Sequence, residues 1–430
     1  MVYEHKSYKY LYYLLMGFNL LTLILYLSNP FLNNSGNHGL TLLYISINLL
    51  FLGWGYKSGL KKGRRINSIP RKAFLSDVSH NTLQVYTVFY VLTFLLKYAY
   101  ELHCPPFDIG ALVNRIILGI VNPYLGYTTG GSYRPFGWSI YTIICFFDSV
   151  FFIVGMLSWR KLKKGEKYLF VVLSVIELFK GMGSGSSFGE LKMITTLAII
   201  LLMNLKEIRL TRKQKSVIWY SVAGAFFLAL FIFSHNMTGR SGGELSDTFG
   251  ESLGFNNDSF INKYLISIFP DSIKNLYVYI CHYICNGYYN LEYAFNCNFE
   301  WTYFLGSNDA KTHLFNVLTG FDVEPLNYQI KIYKNYGVDP YIYWHSCYTW
   351  LANDVSLYGV PIVMYFVGHF CSLAMTMYRK CNDLLSGIVA VIFANMIIYL
   401  FANNNYIAQL FYSFLFLFPY WLITRYFRVR

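Results

Sequence analysis

Apolar and polar residues fall into long blocks along this chain, with little fine alternation between them. Ten apolar blocks approach or exceed the roughly 20 residues that an α-helix needs to cross a bilayer core. They lie at about 10–28, 40–56, 82–100, 137–158, 168–183, 187–205, 216–234, 355–377, 384–402 and 405–423. Glu177, Lys180, Glu190 and Lys192 interrupt the fifth and sixth blocks. Glu177 and Lys180 stand three apart, so they can pair on one helix face. Asp148 sits in the middle of YTIICFFDSVFFIVG, where a carboxylate needs a partner from a neighbouring helix. The first block ends in LYLSNPFLNN without a small-residue cleavage site and reads as a retained anchor.

Between the seventh and eighth blocks lies one polar, tyrosine-rich interval, residues 235–353. Within it, KNLYVYICHYICNGYYNLEYAF (274–295) places Tyr277, Ile280, Cys281, Ile284 and Tyr288 on one helical side. The pattern predicts an amphipathic helix in the outer interface, broken at Asn286–Gly287. A second surface helix is expected over ALVNRIILGIVNPYL, 111–125. The chain thus reads as an all-α polytopic membrane protein of about ten transmembrane helices with one large extracytoplasmic loop. Its linear division is seven spans in 1–234, the loop in 235–353 and three spans in 354–430. No internal repeat marks two matched halves of the transporter kind.

Composition agrees with that division. Of 430 residues, 55% are hydrophobic and only 13% charged, against roughly a quarter charged in soluble proteins. The net charge of +13 does not point to nucleic acid, because the cations sit in short clusters between apolar blocks. The segments around Lys6–Lys9, Lys57–Lys72, Arg160–Lys167, Lys206–Lys215, Arg379–Lys380 and Arg425–Arg430 hold 24 of the 35 Lys and Arg residues. With ten crossings all of these fall on one side, the cytoplasmic side by the positive-inside rule, together with both termini. The 235–353 loop holds eleven acidic and six basic residues on the other side. Cys104, Cys281, Cys285, Cys297 and Cys347 are then extracytoplasmic, where a disulfide is permitted. Their spacing gives no zinc framework, and no metal or cofactor is expected. Most of the 40 tyrosines and 37 phenylalanines read as interfacial anchors or lipid-facing rings. In the external loop, aromatic rings also suit the apolar faces of sugars.

Candidate chemistry is sparse on the external side. Arg115, Arg134 and Arg240 are its only arginines, and arginine is the better bidentate partner for phosphate oxygens. Arg240 lies in SHNMTGRSGGELSD, directly after the seventh block and among glycines whose amides can approach an anion. It is the first candidate for a lipid diphosphate, with Lys180 a further one. The external histidines are His38, His103, His235, His282, His313 and His345. Histidine is the side chain suited to take a proton from an attacking hydroxyl near neutral pH. His282, on the amphipathic segment, and His345, nine residues before Asp354, are the candidate bases together with Asp354 itself. The default reading of Asp354 is nevertheless structural, as a cap at the first turn of the eighth span where the helix dipole also favours it. No GxSxG, HExxH, Walker A or GxGxxG arrangement occurs.

The chain returns to the apolar blocks through Asp354, Ser356 and Gly359, with Gly368 in the following helix. This resembles the Asp-x-Gly-x-x-Gly pattern of the O-antigen and capsule repeat-unit polymerases (Wzy-type), with Ser356 in place of the first glycine. YICNGYYNLEYAF is similar to the tyrosine–glycine–asparagine segment in the loop of that family. The topology matches over nearly the whole chain and the motifs over about 287–370. One departure is KGMGSGSSFGELK (180–192), where the family often has a Gly-Ser-Arg-Gly-like turn. Here no arginine is present, which leaves Lys180 or Lys192 as substitutes and Arg240 as the carried-over arginine. The resemblance implies a glycosyltransferase of the bacterial inner membrane that joins undecaprenyl-diphosphate-linked glycans outside the cytoplasm. Its implied partners are those glycans, membrane lipids and a chain-length regulator protein. The other classes compatible with the span count are a lipid-linked oligosaccharide flippase and a membrane O-acyltransferase.

Overall fold

The structure, a computed structural model, describes residues 4–28, 31, 36–66, 78–122, 137–184, 188–204, 268–307, 309–340, 343–402 and 416–427, with shorter pieces of 216–265. Helices account for nearly all of its regular structure, and no β-strand occurs among the described residues. The principal helices are α1 (Glu4–Leu27), α2 (His38–Arg65), α3 (His80–Glu101), α4 (Ile109–Val121), α5 (Trp138–Leu157), α6 (Lys164–Ser184) and α7 (Phe188–Asn204). After them come α8 (Asp271–Ala294), α9 (Asp309–Thr319), α10 (Tyr328–Tyr336), α11 (Cys347–Cys381) and α12 (Leu384–Ile398). Four helical stretches, Tyr10–Leu27, His38–Arg65, His80–Glu101 and Cys347–Cys381, are long and apolar enough to cross a membrane. Shorter apolar helices lie at Ile109–Val121, Ile143–Leu157, Leu191–Asn204 and Leu384–Ile398. The chain is a helical membrane protein. About half of the predicted block 216–234 and more than half of 405–423 fall outside the described residues.

The helices pack into two units, one of residues 1–69 with 250–430 and one of 70–249. In the first unit the main seam runs between α2 and α11. Gly55, Gly59 and Gly63 recur every fourth residue, which puts them on one face of α2. A Cβ on Gly59 would lie 2.1 Å from the His369 carbonyl oxygen and 2.2 Å from Ser372 Oγ. On the opposing helix a Cβ on Gly368 would lie 2.2 Å from the Leu52 carbonyl oxygen. Small residues let these two backbones approach as membrane helices do when lipid supplies no hydrophobic drive. Ser372 Oγ donates across the seam to the Tyr56 carbonyl at 2.7 Å. At the far end of the unit, fully buried Arg425 donates through Nη2 to Asp383 Oδ1 at 3.0 Å. Asp383 also caps α12 by accepting from Ser386 N at 3.0 Å.

Two expected boundaries change. α8 runs unbroken through Asn286–Gly287 and is packed inside the first unit, with Tyr279, Cys281, Cys285, Tyr288, Tyr289 and Leu291 at most 1% exposed. Gly287 is a notch: a Cβ there would meet the Phe401 carbonyl oxygen at 2.2 Å. The asparagine–glycine pair therefore reflects close packing where the pattern suggested a break. α11 begins at Cys347, capped by Ser346, eight residues before the predicted span. Its path bends at Ser356, the one non-helical residue inside it (φ 60°, ψ 166°). All eight cysteines are free thiols.

In the second unit α3 packs on α5, α4 on α6, and α6 on α7. Helix starts follow their caps: Ser79 accepts from Thr82 N at 3.3 Å, and Asp108 from Ala111 N at 2.9 Å. The helix expected near 111–125 is present as α4.

Candidate functional site

The ends of α1 and α2 that lie away from the Lys57–Arg65 cluster meet the last turns of α8. Glu292 is held there, 1% exposed, with Tyr26 donating its hydroxyl to Oε1. His38, the first residue of α2, brings Nδ1 to 3.2 Å from the same oxygen. Asn37 closes the group by donating to the Glu292 carbonyl at 3.1 Å and to Asn296 Oδ1 at 2.9 Å. Tyr26 packs on the His38 ring with centroids 4.4 Å apart, and Tyr289 stacks at 6.5 Å. Tyr289 also ties down Phe31, donating to its carbonyl at 3.1 Å and accepting from its amide at 3.2 Å.

The His38 ring is thus oriented by a buried carboxylate through Nδ1. Its Nε2 has no hydrogen-bond partner and is itself shielded from solvent, so the 31% exposure of the side chain belongs to other atoms of the residue. A carboxylate that fixes one imidazole nitrogen leaves the other as an acceptor for a proton and stabilises the imidazolium that results. In such an arrangement the second nitrogen can take a proton from a donor that reaches it.

The residues singled out in the sequence are placed elsewhere. His282 is buried in α8, edge-on to Phe31 at 6.0 Å, and burial holds its imidazole down to about 4. His345 is fully buried where α8, α11 and the end of α12 meet, next to Ser346, whose amide donates to the Gly287 carbonyl at 3.3 Å. Neither ring nitrogen of His345 has a partner, and burial pushes its imidazole down to about 3. At neutral pH such rings are weak proton acceptors.

Asp354 lies at the bend of α11 and not in its first turn. Its Oδ1 accepts from Thr302 Oγ1 at 2.7 Å and Gly306 N at 2.8 Å, and its Oδ2 from Ser307 N at 3.2 Å. Asn353 beside it donates to the Gly306 carbonyl at 2.8 Å and to Gln329 Oε1 at 2.9 Å, and accepts from Tyr328 N at 2.8 Å. Asp354 therefore fastens the 302–307 segment to α11. The Ser356 conformation just beyond it is essentially reserved for glycine. Ser356 occupies the position of the first glycine in the resembled pattern.

In the second unit, Lys180 is buried in a chain of ion pairs. It pairs with Glu177 Oε1 at 2.7 Å, as the spacing on α6 predicts, and with Glu101 of α3. Lys97 of α3 pairs with Asp148 Oδ2 of α5 at 2.9 Å and Glu177 Oε1 at 3.4 Å. Tyr141 donates to Glu101 Oε1 at 2.8 Å, and Lys192 of α7 to Ser149 Oγ at 3.2 Å. The ion pairs join three carboxylates and two ammonium groups. Asp148 thus finds its partner on a neighbouring helix. Lys180, expected at a diphosphate, is turned inward and occupied. Arg115 is a half-buried residue of α4. Arg134 and Arg240 lie outside the described residues. Among the described residues no His, Cys, Asp and Glu group could hold a metal ion.

Compared with known proteins, the chain matches no family model, no curated protein and no solved structure.

The His38–Glu292 pair is the feature that sequence reading missed. Both residues carry a signal, a histidine at a predicted span start and a lone acid in an aromatic helix. Nothing along the chain pairs two positions 254 residues apart.

Proposed function

We propose that this chain is a bacterial inner-membrane glycosyltransferase that polymerises undecaprenyl-diphosphate-linked oligosaccharide repeat units into surface polysaccharide. In this reading the chain crosses the membrane ten times, both termini are cytoplasmic, and the first unit faces its substrates at the outer surface. The observation that carries it is the His38–Glu292 pair at the ends of α1 and α2 opposite their basic clusters. The resemblance at Asp354–Gly368 gives it further support, because the backbone at Ser356 has the glycine-type conformation the resembled pattern calls for.

The reaction needs a proton removed from the acceptor hydroxyl and charge stabilised on the departing diphosphate. His38 Nε2 takes the proton as the hydroxyl oxygen attacks the anomeric carbon of the donor sugar. Glu292 stabilises the imidazolium through Nδ1. The bond from that carbon to the diphosphate breaks, and undecaprenyl diphosphate departs with both bonding electrons. The charge that develops there calls for a cation or hydrogen-bond donors at the diphosphate. The donor diphosphate supplies the driving energy, so no nucleotide sugar is required at this step.

A second reading, an oligosaccharide-lipid flippase, draws on the ion pairs of the second unit, since buried charges in membrane helices often line transport paths. One experiment separates the two. In cells lacking the protein, polymerisation predicts loss of the glycan ladder with single repeat units still reaching the surface. Single units trapped facing the cytoplasm would instead make it a flippase. Restoring the gene with His38→Gln should leave the ladder missing while the protein remains in the membrane. A normal ladder from that variant removes His38 from the site.

A further inference from the structure

The turn fastened by Asp354 carries an unusual display. Trp301, Tyr303 and Phe304 are 46%, 53% and 60% exposed, while Thr302 between them is fully buried. Trp301 lies with its ring centroid 4.8 Å from Tyr303 and 5.4 Å from Phe304. Phe321, 48% exposed, joins the group 6.0 Å from Tyr303. Hydrophobic burial does not account for four neighbouring rings held outward.

The backbone adds a second, independent sign. Tyr303 and Phe304 have φ of 55° and 62°, two successive left-handed residues, neither of them glycine. Each such residue carries strain, which persists only where the surroundings impose it. Here the surroundings are explicit. Thr302 Oγ1 bonds Asp354 and the Asn353 carbonyl, both at 2.7 Å, and the Gly306 and Ser307 amides bond the Asp354 carboxylate. Gly306 leaves no room for a side chain, because a Cβ would sit 2.6 Å from both Asn327 Oδ1 and Thr302 Oγ1. The clamp thus holds a strained turn whose visible product is a fixed set of outward rings. Strain of this kind gathers at ligand clamps.

We propose that Trp301, Tyr303, Phe304 and Phe321 form an oligosaccharide-binding platform, a reading that rests on the polymerase function above. The apolar C–H face of a pyranose packs on an aromatic ring, while the Trp301 N–H and Tyr303 hydroxyl serve ring-edge hydroxyls. Exposed carboxylates stand beside the rings. Glu300 precedes Trp301 and shares Lys331 at 3.0 Å, and Asp322 follows Phe321. Carboxylates accept hydrogen bonds from sugar hydroxyls. The competing occupant is a lipid surface, which the exposed Val317 and Leu318 of α9 also suit. Interfacial segments favour Lys and Arg beside their apolar face, however, and here exposed acids flank the rings.

The test uses the full chain in lipid nanodiscs and, as probe, lipid-free oligosaccharides cut from the surface polysaccharide of the source cells. Calorimetry should show binding, weakened about tenfold or more by Trp301→Ala. Phe304→Gly is the decisive variant, because it removes a ring and relieves the turn together. It should melt higher than the natural chain and bind more weakly. Unchanged affinity in both variants overturns the platform. So does a lower melting temperature for Phe304→Gly, which would make the ring a structural part. Quenching by brominated lipid that disappears in Trp301→Phe would place the rings in the membrane and also overturn it. Failure of oligosaccharide binding in a protein whose loss abolishes the glycan ladder removes the platform and leaves the polymerase. A ladder that does not depend on the protein removes the polymerase itself.

Discussion

At Ser356 the peptide chain adopts φ 60° and ψ 166° within a helix that is otherwise regular on both sides. An L side chain there costs about 1–3 kcal/mol, and glycine relieves it. Asp354 and Asn353 hold the bend from outside through their bonds to 302–307 and 328–329. Ser356→Gly should therefore raise the melting temperature of the detergent-solubilised protein. A lower one would mean the serine side chain contributes more than its backbone costs. The buried imidazoles make a second residue-scale prediction. His282 and His345 are held down to about 4 and about 3 by burial, from 6.5. Below about pH 6.5 the unfolded chain binds protons that the folded chain refuses, so stability falls with acid. The loss should continue to about pH 4 for His282 and about pH 3 for His345. Melts between pH 7.5 and 4.5 should show this slope, and His345→Phe should flatten it; a midpoint that rises on acidification contradicts the burial argument.

At the scale of elements, α2 and α11 owe their closeness to glycine. Gly59 faces the His369 carbonyl at a separation that leaves no space for even a methyl group. Gly59→Leu should force the helices apart and reduce folded yield severely, whereas Gly39→Ala, with open space around it, should be tolerated. Equal yields from both variants would contradict the seam. In the second unit a different device ties the helices: α3, α5 and α6 share the ion pairs of Lys97, Asp148, Glu177, Lys180 and Glu101. Charges in hydrocarbon persist only when partnered in this way. The Glu177–Lys180 pair was legible because a helix brings positions three apart together. The Lys97–Asp148 pair was not, because its residues belong to different helices and no local period relates them.

For the molecule as a whole, the same distinction separates what sequence shows from what only folding reveals. Helices that need about 20 apolar residues announce themselves by composition, so α1, α2, α3 and the long α11 were visible as blocks. α8 lies where the pattern predicts a helix, but without the expected break, because its asparagine, glycine and tyrosines are packed inside the unit. Packing against α1, α2 and α11 decides its place. Asp354 was visible as a charge before a span, yet its role depends on a turn about fifty residues earlier. His38 and Glu292 approach each other only once α8 is threaded inside the first unit. That encounter is the centre of the proposed chemistry, and it admits one direct measurement. The purified chain in liposomes is given lipid-linked single repeat units on the side opposite its basic loops, and glycan length and free undecaprenyl diphosphate are followed together. The account predicts chains of two or more units, one undecaprenyl diphosphate released per bond, and neither product from His38→Gln. Units that cross the bilayer without joining, or chains made equally well by His38→Gln, would contradict it.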